Sequence, residues 1–142
     1  MRSPPAAVLA RHRWLCVVGF GLAYLFVGIV FSALDRSTPP DQTRVTWRLA
    51  AWAASALLYL THIAYEHFRL RNSPRLIALH AASSTAVGAF GLAVTAAVHS
   101  LMTSHYRPAY LVALVAWPAI TALPALLVAF AVAAVLARFT RQ

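Results

Sequence analysis

The sequence predicts an all-α membrane protein in which four transmembrane helices form an antiparallel bundle. The 142 residues are 61% hydrophobic and only 11% charged, whereas soluble domains are about 25% charged. The mean hydropathy is +0.70, and a soluble chain of this size cannot bury so much apolar surface. We therefore expect the excess apolar surface to face the lipid bilayer.

The apolar residues fall into four runs, each about as long as the 20 residues that a spanning helix needs. We expect one membrane domain covering residues 1–142, with spans at about 14–34, 49–68, 76–102 and 110–137. The second run is the most polar of the four. The fourth contains Pro118 and Pro124, which predict a kink or tilt.

The arginines predict the orientation of these spans, because Lys and Arg concentrate in cytoplasmic segments. All twelve cationic side chains are arginines, against three acidic residues. Eight arginines lie before span one, between spans two and three, or after span four, and four lie on the other side. The sequence thus predicts cytoplasmic N- and C-termini and a bacterial-type cytoplasmic (inner) membrane. Placed at span ends, these arginines do not form a nucleic-acid-binding face.

Small residues recur along one face of spans one and three. Gly21 and Gly28 share a face of span one, and Gly88 and Gly91 share a face of span three. Small residues allow close approach of membrane helices. We expect these four glycines to be helix-packing positions, and a homo-oligomer or a larger membrane complex is a further expectation for so small a bundle.

The candidate site lies near the predicted cytoplasmic ends of spans two and three. His62 and Glu66 are four residues apart on one helix face, and His80 follows after a tight turn at a similar depth. Ionisable groups are costly in hydrocarbon and usually face an interior or a cavity. We predict a polar pocket formed by His62, Glu66 and His80, with Tyr65 and Ser84 nearby. A carboxylate beside imidazoles forms a proton-titrating group.

Three interpretations of this cluster compete. In the first, Glu66 pairs with an interfacial arginine such as Arg69 or Arg75, and the histidines bond to other helices. In the second, the cluster lines a pocket or pathway for a cation, a proton or a small polar solute. In the third, His62 and His80 hold haem b, or the cluster holds a divalent metal ion.

A second group of potential ligands lies at the outer end of span three. His99, Met102 and His105 are spaced three residues apart, and sulfur with imidazole suits copper. The alternative is that these residues are interfacial and solvated. Cys16 is the only cysteine, so neither a disulfide framework nor a thiolate metal site is expected.

Enzymatic chemistry finds little support in the sequence. Glu66 has no second carboxylate nearby for paired acid–base work, and neither a nucleophile elbow nor a glycine-rich phosphate loop is present. The leading functional hypothesis is a small membrane protein that binds or transports a cation, proton or small polar solute through the inner-leaflet pocket. The alternatives are a haem b or quinone-linked electron-transfer subunit and a non-catalytic accessory subunit of a larger membrane complex.

Overall fold

Long helices account for most of the described chain. The computed structural model describes the backbone of residues 6–39, 42–103 and 108–140, and the side chains of these residues except 6–12 and 42. These ranges contain four α-helices and a short π-helical turn that continues the second: α1 (Ala6–Ser37), α2 (Gln42–Ala64), the π turn (Tyr65–Arg69), α3 (Pro74–Met102) and α4 (Ala109–Phe139). The prediction of an all-helical chain with four helices is confirmed for these ranges.

Three of these helices are long and apolar enough to cross a membrane. In the described part of the chain they are Arg13–Ser37, Pro74–Met102 and Ala109–Phe139. A helix suits hydrocarbon because it satisfies its backbone hydrogen bonds internally. α2 is less apolar, since it carries Arg44, Arg48 and His62 along its length.

α2 begins at Gln42, before the predicted span at 49–68, and α1 extends to Ser37. Hydropathy identifies residues that prefer lipid, whereas a helix continues into polar residues wherever they favour helical geometry. Arg48 at this end forms an ion pair with Asp35 of α1, with 3.3 Å between Nε and Oδ1. α4 runs unbroken through Pro118 and Pro124.

The side-chain contacts define the direction of each helix. Gly21 of α1 faces Ser84 and Gly28 faces Leu92, so α1 and α3 run in the same direction. α2 runs opposite to α1, because Arg48 meets Asp35 at one end while His62 meets Phe20 nearer the other. α4 is antiparallel to α3, with which it packs most extensively.

α1 and α3 approach closely at the glycines. A Cβ atom on Gly88 would lie 2.6 Å from Tyr24 Cβ and 3.1 Å from the Gly21 carbonyl oxygen. A Cβ on Gly21 would lie 3.2 Å from the Ser84 carbonyl oxygen, and one on Gly28 or Gly91 would meet leucine side chains at under 3.0 Å. At Gly21 and Gly88 the backbones are therefore close enough that only hydrogen fits, whereas at Gly28 and Gly91 the neighbouring atoms are the ends of leucine side chains that can move.

A small apolar core lies where α2, α3 and α4 meet. Its members are each no more than 2% exposed, and most are alanines: Ile63, Ile77, Ala78, Ala81, Ala129 and Ala133. Alanine at these positions lets α3 and α4 pack closely. This core lies beside the turn that connects α2 to α3, which also carries the polar residues of the candidate site.

We expect Gly88→Ala to destabilise the bundle and Gly19→Ala to have no such effect. The Gly88 Cβ would collide with Tyr24 and with backbone, and overpacking of this kind costs about 1–3 kcal/mol. A Cβ on Gly19, the matched control, meets nothing within 4 Å. Thermal unfolding of both purified variants in detergent checks this. Equal midpoints for the two variants would contradict close packing of α1 against α3.

Candidate functional site

Glu66 is the centre of the polar cluster and is completely buried, with 0% of its side chain exposed. His80 Nδ1 lies 2.8 Å from Glu66 Oε1 and 3.0 Å from Oε2. The Asn72 side-chain amide donates to Oε2 at 2.6 Å. The carboxylate therefore accepts hydrogen bonds from α3 and from the interhelical turn at once.

His62 is the third nitrogen-bearing side chain of this cluster, and it too is 0% exposed. Its Nε2 lies 3.5 Å from Glu66 Oε1, an ion-pair distance that is long for a hydrogen bond. Neither ring nitrogen has a hydrogen-bond partner in the described part of the chain. The imidazole instead stacks on the ring of Phe20, with centroids 4.0 Å apart and an interplanar angle of 8°.

Local backbone geometry turns Glu66 toward its partners. The chain widens into a π-helical turn at Tyr65–Arg69, and the amide of Asn72 donates to the carbonyl oxygen of Glu66 at 3.2 Å. Such π turns are often found at functional sites. Arg71 then adopts φ 51°, the left-handed conformation, which reverses the chain. Pro74 begins α3, a position that suits its fixed φ and missing N–H.

His80 and Asn72 are the members of the cluster that reach the surface. The His80 side chain is 15% exposed, and it lines a cleft of about 220 Å³ with Arg13, Trp14 and Ser83. Asn72 lines a different cleft, of about 400 Å³, with His67 and Arg71 among its walls. The buried carboxylate is thus separated from one surface cleft only by His80 and from another only by Asn72.

The two other residues predicted for this pocket lie beside the cluster without bonding to the carboxylate. The Tyr65 ring packs near Phe20, with centroids 6.3 Å apart. Ser84 is buried and donates its hydroxyl hydrogen to the His80 carbonyl oxygen at 2.9 Å. Ser84 therefore supports the α3 backbone next to His80.

The structure describes two members of the second predicted ligand group. His99 is exposed, and Met102 is 80% exposed. His105 lies outside the described residues. Residues 43–103 and 108–140, with 13–39, contain no group of three or more His, Cys, Asp or Glu side chains arranged to hold a metal ion.

The geometry also bears on the competing interpretations of the cluster. Arg69 and Arg75 are exposed, and neither forms an ion pair with Glu66 among the described residues. A bis-histidine haem would need a macrocycle between the two imidazoles. His62 Nε2 and His80 Nδ1 instead approach the same carboxylate oxygen, at 3.5 Å and 2.8 Å, so the Glu66 side chain lies between them.

Two residues of this site had no role in the sequence-based prediction. Asn72 lies in the tight turn expected before His80, and nothing in the sequence predicts its contact with Glu66, yet it donates the shortest hydrogen bond to that carboxylate. Phe20 was not singled out, because a phenylalanine in an apolar run carries no signal of a polar neighbour. The sequence offers one signal for the contact between Asn72 and Glu66: a side-chain amide follows the carboxylate by six residues, across a turn.

Comparisons of this chain with protein-family models, with curated proteins and with solved structures found no match. The function must therefore be argued from the geometry of the site itself.

Proposed function

We propose that the chain crosses the bilayer four times, with both termini in the cytoplasm, and that it binds and releases a proton at Glu66 in the inner half of the membrane. The topology determines which side of the membrane the cluster faces. α1 and α3 run in the same direction. A chain that leaves α1 on one side must return to the other side before α3 begins.

α2 and its π turn are the segment available for that return. α2 has 23 residues, or about 34 Å at 1.5 Å per residue, which matches a hydrocarbon core of about 30 Å. Two of its polar side chains have partners on neighbouring elements: the exposed Arg48 pairs with Asp35 of α1, and the buried His62 contacts Phe20 of α1 and Glu66. The arginines near the cluster support a cytoplasmic location for that end.

Single-cysteine labelling tests the four-span topology. In a Cys16→Ala background, we expect Ser37→Cys to react with a membrane-impermeant maleimide from outside intact cells. Ser73→Cys and Thr140→Cys are expected to react only after permeabilisation, because they lie at the arginine-rich end. Labelling of Ser37→Cys and Ser73→Cys from the same side would show that α2 does not cross.

One observation carries the proton-binding proposal: Glu66 is wholly buried and its near partners are two imidazoles and an amide. A buried carboxylate is strongly disfavoured unless its charge is balanced. No arginine is paired with it among the described residues. The negative charge of Glu66 is therefore neutralised by a proton, which lies either on an imidazole or on the carboxylate itself.

The geometry favours a proton over a larger solute at Glu66. With 0% exposure of Glu66 and His62, a hydrated cation has no space beside the carboxylate. A proton needs only a chain of hydrogen-bonding groups, and His80 supplies one, because one ring nitrogen meets Glu66 while the ring lines the cleft beside Arg13. We propose that protons enter and leave the site through His80. Movement of a cation or small polar solute would be coupled to this proton transfer.

Infrared difference spectroscopy of the protein in lipid nanodiscs tests this function. Between about pH 8 and about pH 5, the range in which imidazoles titrate, we expect bands from a buried carboxyl–imidazole group. Glu66→Gln should remove these bands, and His80→Gln should shift the pH at which they appear. In liposomes with a trapped pH dye, the same two variants should lose proton uptake driven by a membrane potential.

Asp35→Asn is the matched control, because it removes a carboxylate at the other end of the bundle whose arginine partner is 67% exposed. It should leave the bands and the proton uptake intact. Difference bands that survive unchanged in Glu66→Gln would refute a proton site at this residue, and an absence of proton uptake by the unaltered protein would refute proton movement across the membrane driven by the potential alone.

A further inference from the structure

The cleft beside His80 has the size of a site for a compact chemical group. Its volume is about 220 Å³, below the range of about 300–1,000 Å³ that is usual for whole small molecules. Arg13, Trp14 and Val17 of α1 form one wall, and His80 and Ser83 of α3 form the other. The cleft therefore has room for one polar group placed between the two helices.

The polar side chains of this cleft are hydrogen-bond donors without partners. Arg13 forms no ion pair in the described part of the chain. Among the same residues, the Trp14 indole and the Ser83 hydroxyl form no hydrogen bond, whereas the next two hydroxyls of α3, those of Ser84 and Thr85, donate to carbonyl oxygens one turn earlier. No carboxylate lines the cleft. Donors of this kind, with a cation among them, favour an anion.

His80 adds one more nitrogen to this wall. Its Nδ1 is occupied by Glu66 at 2.8 Å, while Nε2 has no hydrogen-bond partner in the described part of the chain. When the ring carries both protons, Nε2 is a donor as well. Arginine keeps its charge throughout the physiological pH range, so Arg13 can hold an anion whether or not a proton is bound at Glu66.

The cleft lies at the edge of the apolar part of α1. Arg13 is the first residue of the apolar segment Arg13–Ser37. Trp14 is 67% exposed and Leu15 is 60% exposed, and tryptophan is enriched where membrane meets water. The apolar Val17 side chain closes the cleft on the α1 side and is buried. A cationic group and exposed apolar side chains are thus adjacent, as are the head group and the acyl chains of a lipid.

We infer that this cleft binds the phosphate group of an anionic phospholipid. The Arg13 guanidinium is the principal ligand, because its planar N–H groups match two phosphate oxygens at once, and the Ser83 hydroxyl is a second donor. The acyl chains would lie along the exposed apolar side chains that follow Arg13. Inorganic phosphate offers the same oxygens but makes no use of Trp14 and Leu15.

Native mass spectrometry of the delipidated protein in detergent tests the inference, with dioleoyl phosphatidylglycerol as the probe. We expect one saturable lipid, bound more tightly than dioleoyl phosphatidylcholine, whose ammonium group would face Arg13. Arg13→Gln should weaken binding at least about tenfold, the effect of a lost hydrogen bond to a charged group, and Ser83→Ala about fivefold. Both residues are exposed, so neither change disturbs the packing of the bundle.

Arg75→Gln is the matched control, because Arg75 is an exposed arginine at the same end of the bundle that does not line the cleft. Its affinity for phosphatidylglycerol should equal that of the unaltered protein. Equal losses in Arg13→Gln and Arg75→Gln would mean attraction by net charge alone and would overturn the inference. So would displacement of the bound lipid by millimolar inorganic phosphate, because it would make a soluble phosphate the occupant.

Discussion

The structure depends on one buried carboxylate, that of Glu66, which has no arginine partner among the residues that the structure describes. Glu66 is fully enclosed, and its partners come from three successive segments: His62 from α2, Asn72 from the turn and His80 from α3. Because a buried charge without partners is strongly destabilising, these segments must keep a fixed arrangement. The carboxylate thereby links the end of α2 to the start of α3.

The backbone around the turn follows from that requirement. A regular α-helix would end with its carbonyl groups directed along the axis, whereas the π turn widens the chain at Tyr65–Arg69. Arg71 in the left-handed conformation and Pro74 at the start of α3 then bring Asn72 and His80 to the same carboxylate. The π turn and the left-handed Arg71, two uncommon backbone features a few residues apart, thus both serve the hydrogen bonding of Glu66.

Close helix packing keeps water away from this cluster. Gly21 and Gly88 bring α1 against α3, and the alanines at Ala129 and Ala133 bring α4 against α3 near the same end. Phe20 of α1 then covers His62 as a stacked ring. Small residues on three helices therefore account for the complete burial of an ionisable group near one end of the bundle.

Much of this arrangement follows from the sequence, and the reasons for the rest are physical. Run lengths and apolar content predict the four helices. Counting turns predicts that His62 and His80 lie at a similar depth, with Glu66 on the same helix face as His62. One of the three competing interpretations pairs the carboxylate with Arg69 or Arg75, because charge alone favours an arginine. The sequence contains no signal for the π turn that points Glu66 inward, away from those exposed arginines and toward Asn72.

The central claim is that Glu66 and His80 depend on each other inside the bundle, and a double-mutant cycle on unfolding in bicelles tests it most directly. We predict that Glu66→Ala lowers the free energy of unfolding by about 3–5 kcal/mol, the usual cost of breaking a buried ionic pair. Adding His80→Ala to that variant should cost much less than His80→Ala alone. Strictly additive losses, or a negligible loss for Glu66→Ala, would contradict the account.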